Sequence, residues 1–353
     1  MIPRVWLFLP IWLFVAVQSA AGDGLPVATN RVASAVNGPP TRARVVIVED
    51  PAATVAFNPQ PAEIRKMVER GLIALTRCTN TAAAWRSLVS TNDTVGIKVY
   101  SAPGEIVGTR PAVAAAVVEG LLSAGLPPKH IIVWDKEAAS LRLAGFFDLA
   151  DRYGIRVAGA MEAGYDPSHF YESSFIGQLV YGDLEFGEKG PGVGRKSFVS
   201  KLVSRDMTKI INLTPLLNHN DAGVCGNLYS LAIGSVDNTL RFAGDASQLP
   251  IAVPDLYAME ILGDRVVLNV TDALIAQYAG EDRSQLHYAT VLNQLRFSTD
   301  PVALDVLSIQ ELARQRELNR APAVKTDMSL YQNASAVEIG VSDPTKIQVE
   351  YIQ

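Results

Sequence analysis

Cysteine and histidine are scarce in this sequence, with two cysteines and four histidines among 353 residues. Two thiols cannot supply the four ligands of an iron–sulfur cluster, so no such cluster is expected. No HExxH or CxxC motif occurs, which argues against a structural zinc site. Two cysteines are also too few for a disulfide framework, and pairing of Cys78 with Cys225 depends on a geometry that the sequence does not give.

An excess of positive charge is also missing. The chain has 31 basic and 36 acidic residues, a net charge of −5, and no basic stripe, so no nucleic-acid partner is expected. The segment Gly190–Ser197 (GPGVGRKS) resembles a phosphate-binding loop, but Arg195 separates the last glycine from Lys196. We interpret it as a glycine-rich hairpin turn and expect no nucleotide. The 48% hydrophobic content excludes a disordered chain.

The longest hydrophobic run lies at the N-terminus. Arg4 precedes the apolar stretch 5–17, and the small residues Ser19, Ala20 and Ala21 follow. This order predicts a signal peptide over residues 1–21 that is removed after Ala21. A membrane anchor is the alternative, but the run is shorter than the roughly 20 residues that span a bilayer. We therefore expect an exported protein, periplasmic or extracellular, without membrane association after signal removal.

The remaining chain alternates short apolar strands with helices, after an extended lead over residues 22–43. Such alternation is typical of βαβ units and predicts an α/β fold, a largely parallel sheet flanked by helices, in a single domain over 44–353. A Gly- and aromatic-rich insert near 165–201, a long loop or a hairpin, interrupts the pattern. Strands are predicted at 44–48, 94–100, 131–135, 155–159, 208–213, 265–270, 291–298 and 346–352. Helices are predicted at 62–88, 110–125, 141–153, from near 225, 253–262 and 301–316.

Polar residues are concentrated after the predicted strand that starts at Thr208. The segment runs through Asn218, His219 and Asn220 into a glycine-containing turn and then to Asn227. In open α/β sheets ligands bind beyond the carboxyl ends of the strands, which favours a binding site here. Ordinary capping of a loop and a helix by Asn is the alternative.

Three other predicted strands carry charged residues. Lys98 lies within an apolar strand, where an ammonium group needs a partner or a ligand, unless the strand is at an edge. Asp272 follows the strand 265–270. Asp300 follows the strand 291–298 and either caps the helix at Pro301 or binds a metal.

Four blocks of sequence resemble the family known as domain of unknown function 362. They are Val95-Gly-Ile-Lys-Val, the block 210–229, Asn269-Val-Thr-Asp-Ala, and Ser298-Thr-Asp-Pro-Val-Ala-Leu-Asp305. The resemblance covers about residues 95–312. It implies an α/β protein without an established activity, in a family whose members often accompany ferredoxin modules, which this sequence lacks.

The chain departs from the family pattern at three positions. The resemblance implies lysines at the positions of Leu217 and Gly226, and an asparagine at that of Tyr100. If the family site binds an anion through those lysines, much of the charge for it is missing here. The positions that do match are Lys98, His219, Asn227, Asp272, Asp300 and Asp305.

Two functions follow as hypotheses, and the sequence assigns neither a cofactor nor a reaction. The first is a polar pocket that binds a small polar ligand or a divalent metal, and enzymatic turnover stays open. Its predicted lining is Lys98, Asn218, His219, Asn220, Asn227 and Asp272, and His219 and Asp300 are the candidate metal ligands. The second is a non-catalytic accessory protein of an exported redox complex. It would bind a protein partner through the aromatic-rich stretch 169–198.

Overall fold

A computed structural model describes residues 42–243, 245–280 and 283–353. The predicted signal peptide, and the lead up to residue 41, lie outside these ranges. All described residues belong to one compact unit. None of the helices in these ranges combines the length and apolarity needed to cross a bilayer.

Thirteen strands and eleven α-helices make up the described chain. The strands are β1 (Ala43–Glu49), β2 (Thr54–Val55), β3 (Asn58–Pro59), β4 (Val95–Lys98), β5 (Ile131–Asp135), β6 (Arg156–Gly159), β7 (Tyr165–Glu172), β8 (Lys196–Ser200), β9 (Lys209–His219), β10 (Gly223–Val224), β11 (Val266–Gln277), β12 (Ala289–Ser298) and β13 (Ile347–Ile352). The helices are α1 (Pro61–Thr76), α2 (Thr81–Leu88), α3 (Pro111–Ser123), α4 (Ala138–Leu143), α5 (Phe147–Tyr153), α6 (Ala160–Ala163), α7 (Asn227–Ser235), α8 (Leu240–Ala243), α9 (Leu249–Tyr257), α10 (Pro301–Leu318) and α11 (Ser329–Ala336).

The central sheet has the order β13-β1-β12-β11-β9-β4-β5-β6, and β10 pairs with the end of β9. The strands β11, β9, β4, β5 and β6 are mutually parallel. The strand β12 runs antiparallel to both of its neighbours, whereas β13 is parallel to β1. The predicted α/β class with a largely parallel sheet flanked by helices is therefore confirmed.

Hydrophobic side chains cover both faces of this sheet. In β5, Ile131 and Val133 enter one core, and Ile132 and Trp134 enter the other. This follows from the two-residue period of a strand, which sends successive side chains to opposite faces. Helices α1–α5 contribute to the first core and α7, α9, α10 and α11 to the second, so the sheet is buried between two helical layers.

Two helices that the sequence predicts as continuous are each broken into two. The predicted helix 62–88 ends at Arg77, which adopts a left-handed conformation with φ 56°. A new helix, α2, then starts behind Asn80, whose side chain accepts a hydrogen bond from the Ala83 N–H at 2.9 Å. The predicted helix 141–153 is interrupted at Gly145, where φ is +80°. Cys78 lies in the first of these breaks, and no disulfide joins it to Cys225.

The predicted insert 165–201 is a hairpin of β7 and β8 with a long connection. The two strands pair antiparallel from Tyr165 with Ser200 to Glu172 with Lys196. The glycine-rich segment 190–194 lies in the turn before β8, and a strand rather than a helix follows it. This arrangement confirms the hairpin interpretation of the segment.

Two predicted strands end later than the sequence places them. The strand predicted at 208–213 extends as β9 to His219, so Asn218 and His219 lie inside this strand and do not follow its end. The strand that the sequence places at 265–270 extends as β11 to Gln277, with an irregularity between Ala273 and Ile275 in its pairing with β12. Asp272 is therefore a residue inside a buried strand and does not follow its end.

Candidate functional site

The candidate site lies where the parallel strand order reverses. From β4 the chain proceeds to β5 and β6 on one side, whereas β9 and β11 lie on the other side. Helix α3 after β4 packs on one face of the sheet, and α7 after β9 packs on the opposite face. A crevice at the carboxyl ends of the strands is expected at such a reversal, and it is the usual ligand position in open α/β sheets.

Lys98 at the end of β4 is the centre of a buried polar network. Its Nζ donates hydrogen bonds to Asp135 Oδ1 at 2.8 Å, to the Val99 carbonyl at 2.7 Å and to Ser230 Oγ at 3.2 Å. Both members of the Lys98–Asp135 ion pair are buried. Because Nζ donates to Ser230 Oγ, the contact does not activate the hydroxyl as a nucleophile, and all three ammonium donors have a partner.

Asp135 at the end of β5 holds the neighbouring loop as well as Lys98. Its Oδ2 accepts hydrogen bonds from the backbone N–H and the hydroxyl of Ser101, each at 2.7 Å. On the other side of Lys98, helix α7 passes so closely that a Cβ at Gly234 would lie 2.4 Å from Lys98 Cε. The network therefore joins β4, β5 and α7 at the carboxyl edge.

A cleft of about 140 Å³ opens above this network, and we call it the strand-end cleft. The residues after β4, those after β5 and the first two turns of α7 form its walls. They are Tyr100, Ala102, Asp135, Lys136, Glu137, Ser140, Tyr229, Ser230, Ile233 and Gly234. The cleft thus has aromatic, apolar and charged groups within a small volume, as ligand sites commonly do.

Lys136 is the cationic side chain on the wall of the strand-end cleft. Its Nζ donates to Thr239 Oγ1, which is its one side-chain hydrogen bond among the described residues. Burial lowers the pKa of Lys136, whereas the nearby carboxylates of Asp183, Asp237 and Glu137 act in the opposite direction. Burial also raises the pKa of Asp237 to about 6, despite hydrogen bonds from two backbone N–H groups. The ammonium group has donors to spare for a ligand.

The predicted residues Asn218, His219 and Asn220 lie in the hairpin of β9 and β10. Asn218 Nδ2 donates to Asn220 Oδ1 at 2.9 Å, and His219 Nδ1 accepts from the Ala222 N–H at 3.1 Å. The His219 ring packs on Tyr229, with ring centroids 4.3 Å apart. His219 is therefore adjacent to the strand-end cleft through Tyr229, while Asn218 and Asn220 form part of the hairpin itself.

Asn227 is buried at the first position of α7 and serves the start of that helix. Its N–H and its Nδ2 both donate to Asp305 Oδ1, at 2.7 and 2.9 Å, and the Leu228 N–H donates to Asp305 Oδ2 at 2.9 Å. Asp305 of α10 thereby caps α7, although the two residues are far apart in the sequence. Burial raises the pKa of Asp305 to about 7, against the effect of these hydrogen bonds.

Asp272 lies in a different part of the interior. Its carboxylate pairs with the Arg110 guanidinium at 2.7 Å and accepts from the Arg110 N–H at 3.0 Å. Both side chains are fully buried.

None of the six predicted pocket residues is part of the lining of the strand-end cleft. Lys98 lies beneath the cleft and donates to Asp135 and Ser230 of its lining. His219 contacts Tyr229 of the lining, whereas Asp272 lies with Arg110 at the start of α3.

Asp300 caps α10, which is one of the two roles predicted for it, the other being a metal ligand. Its Oδ1 accepts from the Ala303 N–H at 2.8 Å, and its Oδ2 accepts from the Val341 N–H at 2.9 Å. Within the described ranges, no group of three or more His, Cys, Asp or Glu side chains is arranged to hold a metal ion. The structure therefore adds no third ligand to the predicted pair of His219 and Asp300.

None of the ten residues that line the strand-end cleft is among the predicted site residues, and the polar residues Asp135, Lys136 and Ser230 are the most informative of those that were missed. Asp135 and Lys136 follow the predicted strand 131–135, so the strand-end rule that selected Asn218 and His219 applies to them equally. Ser230 gives no comparable signal, because a serine one turn into a helix is common. Its position becomes informative only when α7 is seen to cross above Lys98.

The buried aspartates give the stability of this protein a defined pH dependence. The pKa values of Asp305 and Asp300 are raised to about 7 and about 6 by burial, whereas an unfolded chain titrates near 3.9. Between about pH 4 and pH 7 the native state therefore binds more protons than the unfolded state, and stability falls as pH rises. We expect the melting temperature to decrease from pH 5 to pH 8.

Asp305→Asn tests this expectation. The variant loses one hydrogen-bond acceptor at the start of α7, which lowers its stability at every pH. Unlike the wild type, it has no side chain at this position that must ionise while buried as the pH rises. The difference in melting temperature between wild type and variant should be smaller at pH 8 than at pH 5. Asp148→Asn, at an exposed position of α5, is the control and should leave the profile unchanged. Parallel profiles for wild type and Asp305→Asn would contradict the assignment.

Comparison with known proteins identifies no family for this chain. No protein-family model matches the chain, and no curated protein matches its sequence. This chain is similar to the crystal structure of a protein from Thermotoga maritima, a structural-genomics target. The TM-score is 0.41, and the sequence identity is 10% over 74% of this chain. The match spans 60% of the length of that protein.

Proposed function

We propose that this protein binds a small neutral molecule, rich in hydroxyl or carbonyl oxygens, in the strand-end cleft. The observation that carries the proposal is the position of Lys136, a partly buried amine with unused donors on the wall of a cleft at the strand reversal. A partly buried amine with spare donors favours an occupant that can accept hydrogen bonds.

The volume and charge of the cleft define the ligand further. A cavity of about 150 Å³ holds benzene, so about 140 Å³ suits a molecule of about six to ten non-hydrogen atoms. Glu137 lines the cleft beside Lys136, and Asp183 and Asp237 are close to the same ammonium group. These carboxylates disfavour an anion. Tyr100 and Tyr229 offer ring surfaces to the body of the ligand, while Ser140 and Glu137 can accept its hydroxyl protons.

Lys136→Met is the variant that tests the site. We expect it to weaken binding by about ten- to a hundredfold, the effect of losing a hydrogen bond to a charged group. Native mass spectrometry of protein purified from its own host is the measurement: wild type should retain a small bound molecule and the variant should lose it. Lys129→Met, at an exposed position, is the control and should keep the ligand. Equal occupancy in wild type and Lys136→Met would contradict the proposal.

The proposal also includes export and membership of the domain-of-unknown-function 362 family. Three of the four resembling blocks meet around Asn227, which contacts Asp305 and donates to Thr271 Oγ1 at 3.3 Å. These contacts show that blocks far apart in the sequence form one local structure, and this supports membership of the family. The order of residues 1–21 supports export, and the same mass spectrum should give a mature chain that begins at Gly22.

A binding role toward a protein partner is the second candidate. The loop between β7 and β8, residues 173–195, exposes large apolar side chains. They are Phe175, Ile176, Val180, Tyr181, Leu184 and Phe186. Apolar groups exposed together often mark an interaction surface. A protein-sized mass that co-purifies with wild type and is lost on Ile176→Ser/Tyr181→Ser would favour this function over ligand binding.

A further inference from the structure

Arg316, near the end of α10, is a buried cation without an anionic partner. Its side chain is 3% exposed, and its guanidinium donates to Asn218 Oδ1. Across residues 42–243, 245–280 and 283–353, no carboxylate forms an ion pair with it, and its Nε is buried with no acceptor. Lys98 and Arg110 are as deeply buried, but each meets a carboxylate. Because an unpaired buried charge is costly, an anion that reached Arg316 would be stabilised there.

The electrostatic surroundings of Arg316 support the same conclusion. Burial lowers the pKa of Arg316, and no charge among the described residues contributes to the shift. An arginine side chain nevertheless stays protonated in proteins. The positive charge is therefore present and has no ion-pair partner among the described residues.

A groove of about 440 Å³ lies between the last turns of α10 and the segment that follows it, and Arg316 is part of its lining. Arg316 and Arg320 provide two positive charges in its lining, and Glu317 provides one negative charge. The remaining lining is small and apolar: Ala313, Ala321, Ala323 and Val324. The groove thus combines a cationic end with aliphatic walls.

We propose that this groove, the Arg316 groove, binds a carboxylate that carries a short aliphatic chain. The planar guanidinium of Arg316 matches the two oxygens of a carboxylate, and Arg320 adds a second cation at the rim. The aliphatic chain of the ligand lies along Ala321, Ala323 and Val324. A phosphate fits less well, because its higher charge is opposed by Glu317 and its oxygens would face apolar walls. The site shares no lining residue with the strand-end cleft.

Titration calorimetry with hexanoate tests the proposal. Hexanoate should bind wild type with a saturable one-to-one isotherm, while hexan-1-ol and inorganic phosphate should bind at least tenfold more weakly. Arg316→Met should weaken hexanoate binding at least tenfold, and Arg320→Gln should weaken it about threefold. Arg314→Gln is the matched control, because Arg314 is exposed on the same helix and pairs with Glu311.

Each outcome is decisive for the Arg316 groove. Arg316→Lys keeps the positive charge but loses the paired N–H donors of the guanidinium, so it should bind hexanoate with intermediate affinity. If Arg316→Met does not fold, Arg316→Lys and Arg320→Gln together test the proposal. Unsaturable binding of hexanoate, equal binding of hexan-1-ol, or tighter binding of phosphate would each overturn the assignment. Hexanoate binding that is unchanged in Arg316→Lys and Arg320→Gln would do the same.

Discussion

Replacing Lys98 with methionine is expected to lower the free energy of unfolding by about 3–5 kcal/mol, the cost of removing one partner from a buried ion pair. The methionine fills much of the same volume, but it leaves the Asp135 carboxylate buried without its cation. It also removes the hydrogen bonds to Ser230 Oγ and to the Val99 carbonyl. Urea denaturation at neutral pH measures the loss.

An exposed lysine provides the control for this variant. Lys66 pairs with Glu63 at 3.0 Å on the surface of α1, and Lys66→Met should cost less than about 1 kcal/mol. A double-mutant cycle of Lys98→Met with Asp135→Asn should give a coupling energy of about 2–3 kcal/mol, because the two groups are in direct contact. If Lys98→Met costs no more than Lys66→Met, the buried ion pair makes no special contribution to stability.

Lys98→Met should also impair ligand binding, because the network it belongs to forms the base of the strand-end cleft. Ser230 and Asp135 line that cleft, and both are held by Lys98 Nζ. We expect the variant to lose the small molecule retained by wild type even under conditions where it is still folded. Stability and binding are thus linked at this residue.

The sequence predicts the importance of Lys98 but not its partners. A lysine between apolar residues of a strand signals a buried charge that must be compensated. Two of its three acceptors, however, come from β5 and from α7, which are 37 and 132 residues away along the chain. Contacts over such distances follow from the strand order, and hydrophobic periodicity does not reveal that order.

The same reasoning explains which elements of the fold are predicted well. Strands such as β5 are apolar on both faces, as expected between two helical layers, and their positions follow directly from the sequence. The break at Gly145 is missed because apolar residues continue on both sides of the left-handed glycine. The break at Arg77 is different, because the polar run 76–81 contains Asn80, a residue type that caps helices, and this signal was overlooked. The residues capping α7 are missed too, because Asp305 reaches it from another helix.

Asp272→Asn is expected to be comparably destabilising, by about 3–5 kcal/mol, for a related reason. The carboxylate pairs with Arg110 and accepts hydrogen bonds from the N–H groups of Arg110 and Leu274. Asparagine preserves the shape of the side chain but leaves the Arg110 guanidinium buried without a charge of opposite sign. The remaining bonds of that guanidinium, to the carbonyls of Ile106 and Ile275, are with neutral groups. Urea denaturation again measures the effect.

The two aspartate-containing ion pairs should differ in their effect on ligand binding, although the sequence predicts Lys98 and Asp272 in one pocket. Asp272 connects the start of α3 to the interior of β11, and it is absent from the lining of the strand-end cleft. The folded fraction of Asp272→Asn should therefore retain the small molecule in native mass spectra, whereas Lys98→Met should lose it. If Asp272→Asn instead released the ligand at unchanged stability, Asp272 would belong to the binding site and its pairing with Arg110 would be secondary. Comparing the two variants in one experiment thus separates a residue that supports the site from one that only supports the fold.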